Sequence, residues 1–441
     1  MLLPCSPDLG PWLPIARTMA LWRQDGMEAA RSFWAASGHQ ASAEPSGALG
    51  PLARELDLRL AGAPGPRLIV DGLWFCRPPG GIGRVWEQIL SCWALQGLVT
   101  PQAPVRLIDR DSHLAQTSQF DSVVGQQVDP LAMGAVAALE EENLAHATAW
   151  GASVFLSSWI STCARRPGVV VPELALVHDC LPERSTMPAE LAQRRRRWLL
   201  GSAHQLAVSA ATAQDLESLL RRPGGSVPWC HPVADGVFSQ TVAAAGAQRL
   251  WAVLQRKTGL HAAFVLLPAT SAIGSYKNPE LVAEAVARIP GLQLVLSGVG
   301  SDQRRSELVA AYPALQERCL GVGFTEVELA LAYRHALAVV VPSRVEGFGL
   351  PAIEALASGG LLIAANARGL REAAGEAGLR VDPTQPQELE ALLQLLLDAP
   401  SRSWLDPLLE ERRRRRLERC CPDLLGLALL TQARSLWKQA S

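Results

Sequence analysis

No excess charge of either sign marks this sequence of 441 residues, where 41 Lys and Arg stand against 42 Asp and Glu for a formal charge of −1. Without a global basic field to hold polyanions nonspecifically, a nucleic-acid partner is not expected. Charged residues amount to 19% and aromatics to 5%, against a hydrophobic share of 49%; that balance excludes a disordered or fibrous chain. No Cys-x-x-Cys pair occurs among the nine scattered cysteines, so neither a zinc ribbon nor a disulfide framework is indicated, and reduced thiols are the simplest reading. Met1 to Arg17 carries Asp8 and four prolines and lacks the basic start and long apolar centre of a signal peptide. The longest nearly apolar run, Ala355 to Ala367, includes Ser358 and Asn366 and is too short for a spanning helix. A cytoplasmic protein is expected, with peripheral contact at the inner face of the membrane left open.

At roughly 150 residues per domain, the length gives two domains plus appendages. Residues 1–60 are rich in Ala, Pro and Trp with weak periodicity and read as a helical extension without assigned function. From Arg67 on, short apolar runs alternate with helical patterns. Arg67–Asp71, Val105–Asp109, Ser153–Leu156, Leu174–Val177 and Gln205–Ser209 read as strands, and Val85–Gln96 and Thr212–Arg222 as helices. After a looser stretch, Ser239–His261, a second series follows: strands at Phe264–Leu267, Gln293–Leu296 and Ala338–Val341, helices at Pro279–Arg288, Val327–His335 and Pro351–Ala357. Repeated βα alternation predicts parallel sheets covered by helices. The expected organisation is an N-terminal Rossmann-like domain at 61–240, a second at 258–400 and C-terminal helices at 401–441. Ligands of such sheets bind at the carboxyl ends of strands, where strand order reverses, and a cleft between the domains is the expected site.

The most informative segment is Val339-Val-Val-Pro-Ser-Arg-Val-Glu-Gly-Phe-Gly-Leu-Pro-Ala-Ile-Glu354. It reads as a buried strand ending at Pro342, a glycine-punctuated loop, and a helix opened by Pro351, whose missing N–H is harmless in a first turn. Gly347 and Gly349 permit tight turning and close approach to a ligand, while the amides and dipole of the helix start favour an anion such as a diphosphate. Glu346 and Glu354 are poor phosphate ligands but good acceptors for hydroxyls. A molecule with hydroxyls on both sides of a diphosphate fits that set, and a nucleotide sugar is such a molecule.

The Glu346-x7-Glu354 pattern within Pro-Ser-x-x-Glu-Gly-Phe-Gly-Leu-Pro resembles the signature of retaining GT-B glycosyltransferases of the group 1, or family 4, class. The likeness runs from about Arg67 to Asp398 and is stronger after Phe264. It implies that Glu346 contacts donor-sugar hydroxyls, that Glu354 holds the ribose, and that the amides of Phe348, Gly349 and Leu350 face the diphosphate. By the same resemblance, Lys277 in Ser275-Tyr-Lys-Asn-Pro279 meets the charge on the leaving diphosphate. The arginine usual a few residues before it is missing. Gly81 and Gly83, in Pro78-Pro-Gly-Gly-Ile-Gly-Arg84, resemble the family's first glycine-rich loop. As a dinucleotide fingerprint that segment fails, because Trp86 occupies the third glycine position. His178, with Asp179 at a strand end, is expected to orient a hydroxyl. The candidate catalytic residues are therefore His178, Lys277 and Glu346, with no metal or other cofactor and a nucleoside-diphosphate sugar as donor substrate.

The acceptor implied is a saccharide or a lipid-linked one, and polysaccharide or lipopolysaccharide assembly is what such families commonly serve; GDP-mannose is a first guess for the donor. Other readings stay open. Asp109-Arg-Asp111 has the spacing of a GT-A metal site, which would make a metal-dependent transferase, and a nucleotide-sugar epimerase uses similar ligands. The absent arginine, and Leu361 where similar chains usually carry proline, admit a non-catalytic binding or assembly subunit. The basic runs Arg194–Arg197 and Arg412–Arg416 read as solvated helix faces or as a patch for an anionic membrane surface.

Overall fold

The computed structural model describes residues 13–37, 49–78, 80–95, 98–184, 188–260, 263–269 and 271–440. Pro79, Gln96 and His261, which the sequence reading touches, lie outside the described residues, as do most of Met1 to Arg17 and part of the 1–60 extension. Two compact units form, one of residues up to Pro232 together with Cys421 onward, the other Val233–Cys420.

The first unit is built on a six-stranded parallel sheet: β1 (Leu68–Asp71), β2 (Val105–Asp109), β3 (Asp121–Val124), β4 (Val154–Ser157), β5 (Glu173–Val177) and β6 (His204–Ala207). Their spatial order is β3-β2-β1-β4-β5-β6. Residues of β1, β4 and β5 are buried along their whole length, as strands covered on both faces must be, and this is why they read as unbroken apolar runs. The extension 1–60 contributes helices Leu13–Asp25, Met27–Ala36 and Leu49–Leu60, and the last of these packs with the final helix, Leu424–Ala440. A Cβ at Gly426 would stand 2.8 Å from Cys92 Sγ, and Trp93 Nε1 donates to Gly426 O at 3.1 Å. The final helix can lie this close because that position carries no side chain.

The second unit repeats the plan with β7 (Phe264–Leu267), β8 (Gln293–Ser297), β9 (Cys319–Val322), β10 (Ala338–Val341), β11 (Leu362–Ala365) and β12 (Leu379–Val381). Its order is β12-β11-β10-β7-β8-β9, and the β7–β10 pair aligns Ala338 with Val265 and Val339 with Leu266. In each unit the order reverses between the first and fourth strands. Successive connections leave to opposite sides there, opening a crevice beyond the carboxyl ends of β1 and β4 in one unit and of β7 and β10 in the other.

Several boundaries differ from the sequence reading. The stretch Ser239–His261 read as loose, yet Gly236–Ala243 and Ala247–Thr258 are helices, the second burying Trp251 and Leu254. The apolar run Ala355–Ala367 is the end of one helix, a Gly359-Gly360 break and then β11. The helix read from Val85 begins at Gly81, which places Gly81 and Gly83 in its first turn rather than in the preceding loop.

Candidate active site

In the second unit the crevice is formed by two loops. One leaves β7 and carries Ser275 to Asn278 into the helix Pro279–Ala287; the other leaves β10 and carries Ser343 to Gly349 into the helix Leu350–Ala357. A small cavity of about 10 Å³ lies between them, lined by Leu267, Lys277, Val341, Ser343 and Pro351 among others. Lys277 joins the two loops: its ammonium donates to Glu346 Oε1, 69 residues away in the chain, at 2.7 Å. Their side chains keep 23% and 11% of their surface exposed. Burial disfavours the ammonium, but the Glu346 carboxylate and neighbouring Tyr276 outweigh it, so its pKa lies above the ordinary lysine value. The cation persists throughout the neutral range.

The glycine loop is shaped by close packing. Gly349 has a φ of 107°, a backbone conformation that favours glycine at the residue introducing the helix Leu350–Ala357, and a Cβ there would also press on the Leu370 Cδ2 methyl at 2.5 Å. That helix begins without a side-chain cap, with Pro351 in its first turn, the arrangement that leaves room for an anion at its amides. Gly347 and Phe348 are buried and Leu350 is half-buried. Underneath, Gly369 brings the helix Arg368–Ala374 against the loop: a Cβ on Gly369 would come within 2.3 Å of Glu346 O and 2.9 Å of Gly347 O. The sequence reading passed over Gly369, whose neighbour is 23 positions away in sequence. Glu354 is more enclosed than a hydroxyl acceptor at an open site was expected to be, at 2% exposure, and its Oε2 accepts from the Tyr333 hydroxyl at 3.2 Å.

Gly298 and Gly300, also missed, have φ of 119° and 75° and connect β8 to the helix Ser301–Ala311. Val299 between them is fully exposed. A strand followed by Gly-x-Gly and a helix is the signal that could have found this loop.

The remaining candidates belong to the first unit. Gly81 is exposed and Gly83 buried, both at the helix start beyond β1. His178 follows the carboxyl end of β5. Its Nε2 is buried without a hydrogen-bond partner, and burial, with the nearby Arg195 charge, lowers the imidazole pKa to about 3. The ring is therefore neutral at physiological pH and can offer one donor and one acceptor. Asp179 serves the chain locally, accepting from Leu181 N–H at 3.1 Å.

Asp109 and Asp111 flank a buried ion cluster. Between them Arg110, 1% exposed, donates to Asp71 Oδ1 at 2.6 Å, Glu142 Oε2 at 2.7 Å and Asn143 Oδ1 at 2.8 Å. Asp109 Oδ1 accepts from Ser112 N–H and Asp111 Oδ2 from the Gln127 amide. The two basic runs divide: Arg196, Arg197, Arg412, Arg414 and Arg415 are exposed, as a solvated face requires, and the others turn inward. Arg194 and Arg195 are buried; Arg194 and Arg197 share Glu140, and Arg195 pairs with Glu183. Arg413, Arg414 and Arg415 pair with Glu410, Glu411 and Glu418, and buried Arg416 donates to the carbonyls of Glu372 and Ala373. Most of the charge that would attract an anionic surface is thus already matched. Among the described residues no helix is long and apolar enough to cross a membrane.

Residues 256–415 match the family described as glycosyl transferases group 1. That span holds Lys277, Glu346 and Glu354. D-inositol 3-phosphate glycosyltransferase 1 of Catenulispora acidiphila is 30% identical over 256 residues, covering 53% of this chain and 60% of that protein. The MMP alpha-(1->4)-mannosyltransferase of Mycolicibacterium hassiacum is 40% identical over 99 residues, 22% of this chain and 24% of the relative. The chain thus spans less than two thirds of the length of these curated relatives. Among solved structures, sucrose-phosphate synthase from Thermosynechococcus elongatus superposes with a TM-score of 0.63 at 22% identity, covering 85% of this chain and 99% of its own. WaaG, a glycosyltransferase involved in lipopolysaccharide biosynthesis, gives 0.63 at 14% identity, covering 81% and 98%. Anabaena HepE in complex with UDP-glucose gives 0.54 at 15%, covering 85% and 99%. The two parallel six-stranded sheets are those of the GT-B fold.

Proposed function

We propose that the chain is a retaining glycosyltransferase that moves a hexosyl group from a nucleoside-diphosphate sugar to an acceptor hydroxyl. The observation that carries this reading is the Lys277–Glu346 pair at 2.7 Å, set where strand order reverses beside an uncapped helix start. One cation and one hydroxyl acceptor stand next to each other, as a diphosphate bonded to a sugar requires. The group 1 match over 256–415 supports the reaction class, and relatives named for inositol 3-phosphate and mannosyl transfer support a hexosyl donor. HepE, whose structure includes UDP-glucose, supports a nucleotide-sugar ligand for this fold. The acceptor follows as a saccharide or another polyol, free or lipid-linked, with polysaccharide or lipopolysaccharide assembly as the setting.

In this mechanism the bond from the anomeric carbon to the diphosphate oxygen breaks with its electron pair going to the diphosphate, and the sugar gains oxocarbenium character. Lys277 and the amides of Phe348, Gly349 and Leu350 stabilise the departing charge, the largest electrostatic task of the reaction. Glu346 accepts from donor-sugar hydroxyls and Glu354 from the ribose. The acceptor oxygen bonds to the anomeric carbon on the face the diphosphate leaves, and its proton goes to the diphosphate. His178, neutral, orients a hydroxyl through its ring nitrogen. Thermal-shift screening against UDP-, GDP- and ADP-sugars, followed by detection of released nucleotide and of the anomeric configuration of the product, tests the reading. Inversion would remove retention, and no ligand-induced shift or nucleotide release across panel and acceptors would favour the non-catalytic alternative.

A further inference from the structure

Asn278, next to Lys277, is a residue that neither the strand pattern nor the carboxylate spacing singles out. It is 1% exposed and stands in the left-handed region at φ 55° and ψ 47°, a conformation asparagine tolerates better than most side chains. Its carboxamide joins three loops at the carboxyl edge of the second sheet. Nδ2 donates to Pro342 O, just after β10, at 3.2 Å and to Pro383 O, just after β12, at 2.8 Å. Oδ1 accepts from Arg344 Nη2 at 2.8 Å. Arg344 reinforces the junction: its backbone N–H donates to Tyr276 O at 2.8 Å and its guanidinium reaches Glu280 Oε1 at 3.2 Å. The loop that carries Lys277 is thereby fastened to the loop that carries Glu346.

We propose that Asn278 is a positioning residue that holds the Lys277 ammonium against Glu346 and aims it at the diphosphate site. Only a carboxamide supplies two donors and an acceptor at this span. Aspartate would turn acceptors toward two carbonyl oxygens, and alanine would lose the bonds and strain the backbone. The aim toward a diphosphate rests on the transferase reading, whereas the effect on Lys277 itself does not.

The chain has only three lysines, Lys257, Lys277 and Lys438, so an amine-selective acetylating reagent read by peptide mass spectrometry reports each separately. Lys257, paired with Glu328 on the surface, is the internal control. In the native chain Lys277 should label slowly, with its apparent pKa above the ordinary lysine value. Asn278→Gly keeps the left-handed backbone while removing the clamp, so Lys277 should drift from Glu346 and label several-fold faster near pH 9, since each unit of lowered pKa gives about tenfold more free amine. Arg344→Gln, at an exposed side chain, should give a smaller change in the same direction and covers the case in which the glycine variant fails to fold. Lys277 labelling unchanged relative to Lys257 in folded Asn278→Gly, or in Arg344→Gln where the glycine variant does not fold, overturns the proposal. Because labelling needs no donor, a labelling shift in a chain that transfers no sugar keeps the clamp and removes the transferase reading. Transfer by an enzyme whose labelling is indifferent to Asn278 does the reverse.

Discussion

Replacing Lys277 by alanine separates a role in chemistry from a role in holding the loop. Its loss strands Glu346, whose side chain is only 11% exposed, without its counter-charge. Removing one member of a fully buried pair costs about 3–5 kcal/mol and of an exposed pair under about 1 kcal/mol, so this partly covered pair should fall between, near 2 kcal/mol on that scale. At about 2–4 °C per kcal/mol for a unit of this size, the melting temperature should drop by several degrees. The rate should fall much further, by on the order of 10²–10³, the cost of deleting one preorganised donor from a developing anion. The double variant Lys277→Ala/Glu346→Gln distinguishes the two effects. Removing the stranded charge should return most of the lost stability, measured by calorimetry, while released-nucleotide assays stay as low as in the single variant or lower. Recovery of turnover in step with recovery of stability would show that the pair only braces the loop, and the leaving-group argument would fail.

Three other outcomes follow from the geometry. Gly369→Ala forces a methyl to within 2.3 Å of the Glu346 carbonyl; overpacking of this kind costs about 1–3 kcal/mol, and the displaced loop should weaken donor affinity measured by titration calorimetry, whereas native affinity would contradict the packing argument. Glu173, 5% exposed, has an unpartnered Oε2, and burial raises its pKa to about 7; the folded state favours the protonated acid, so its stabilising effect is full below the unfolded pKa near 4.5 and is lost as pH rises to about 7. Glu173→Gln should therefore raise the melting temperature more at pH 8 than at pH 4.5, by the equivalent of at most about 3 kcal/mol, and an equal effect at both values would contradict the burial argument. His178, with its pKa lowered to about 3, withholds a proton that the unfolded chain takes up below about pH 6.5; stability is lost as pH falls from there toward 3, and His178→Gln should reduce that acid loss. The pH–rate profile should show no histidine limb between pH 5 and 8, and a limb abolished by this variant would refute the neutral-imidazole role.

Much of the fold was legible because strands covered on both faces leave unbroken apolar runs. Phe264–Leu267 and Ala338–Val341 match their strands residue for residue. The missed strands lack that signature: β3 is largely exposed and begins Asp-Ser, β9 contains Gly321, and β12 has three residues with Arg380 at its centre. β11 was hidden by the apolar helix before it, although Gly359-Gly360 punctuates the two. The glycine loop and its two glutamates could be read because their logic is local. The contact between Lys277 and Glu346 could not, since it depends on β10 lying beside β7, a pairing no residue spacing states. Within the run Arg194–Arg197 the two buried arginines were hidden for the same reason: Arg194 looks like a surface charge until Glu140, 54 residues away, is placed beside it.

The central claim, that the Lys277 crevice receives the diphosphate of a nucleotide sugar, is tested most directly by protection of that amine. Acetylation of the three lysines should be followed with and without UDP-, GDP- and ADP-sugars and their nucleoside diphosphates. The account predicts that a ligand stabilising the protein in thermal-shift measurements shields Lys277 in proportion to its occupancy and leaves Lys257 and Lys438 labelling at their original rates. A nucleotide that binds saturably while Lys277 labels at an unchanged rate would contradict it.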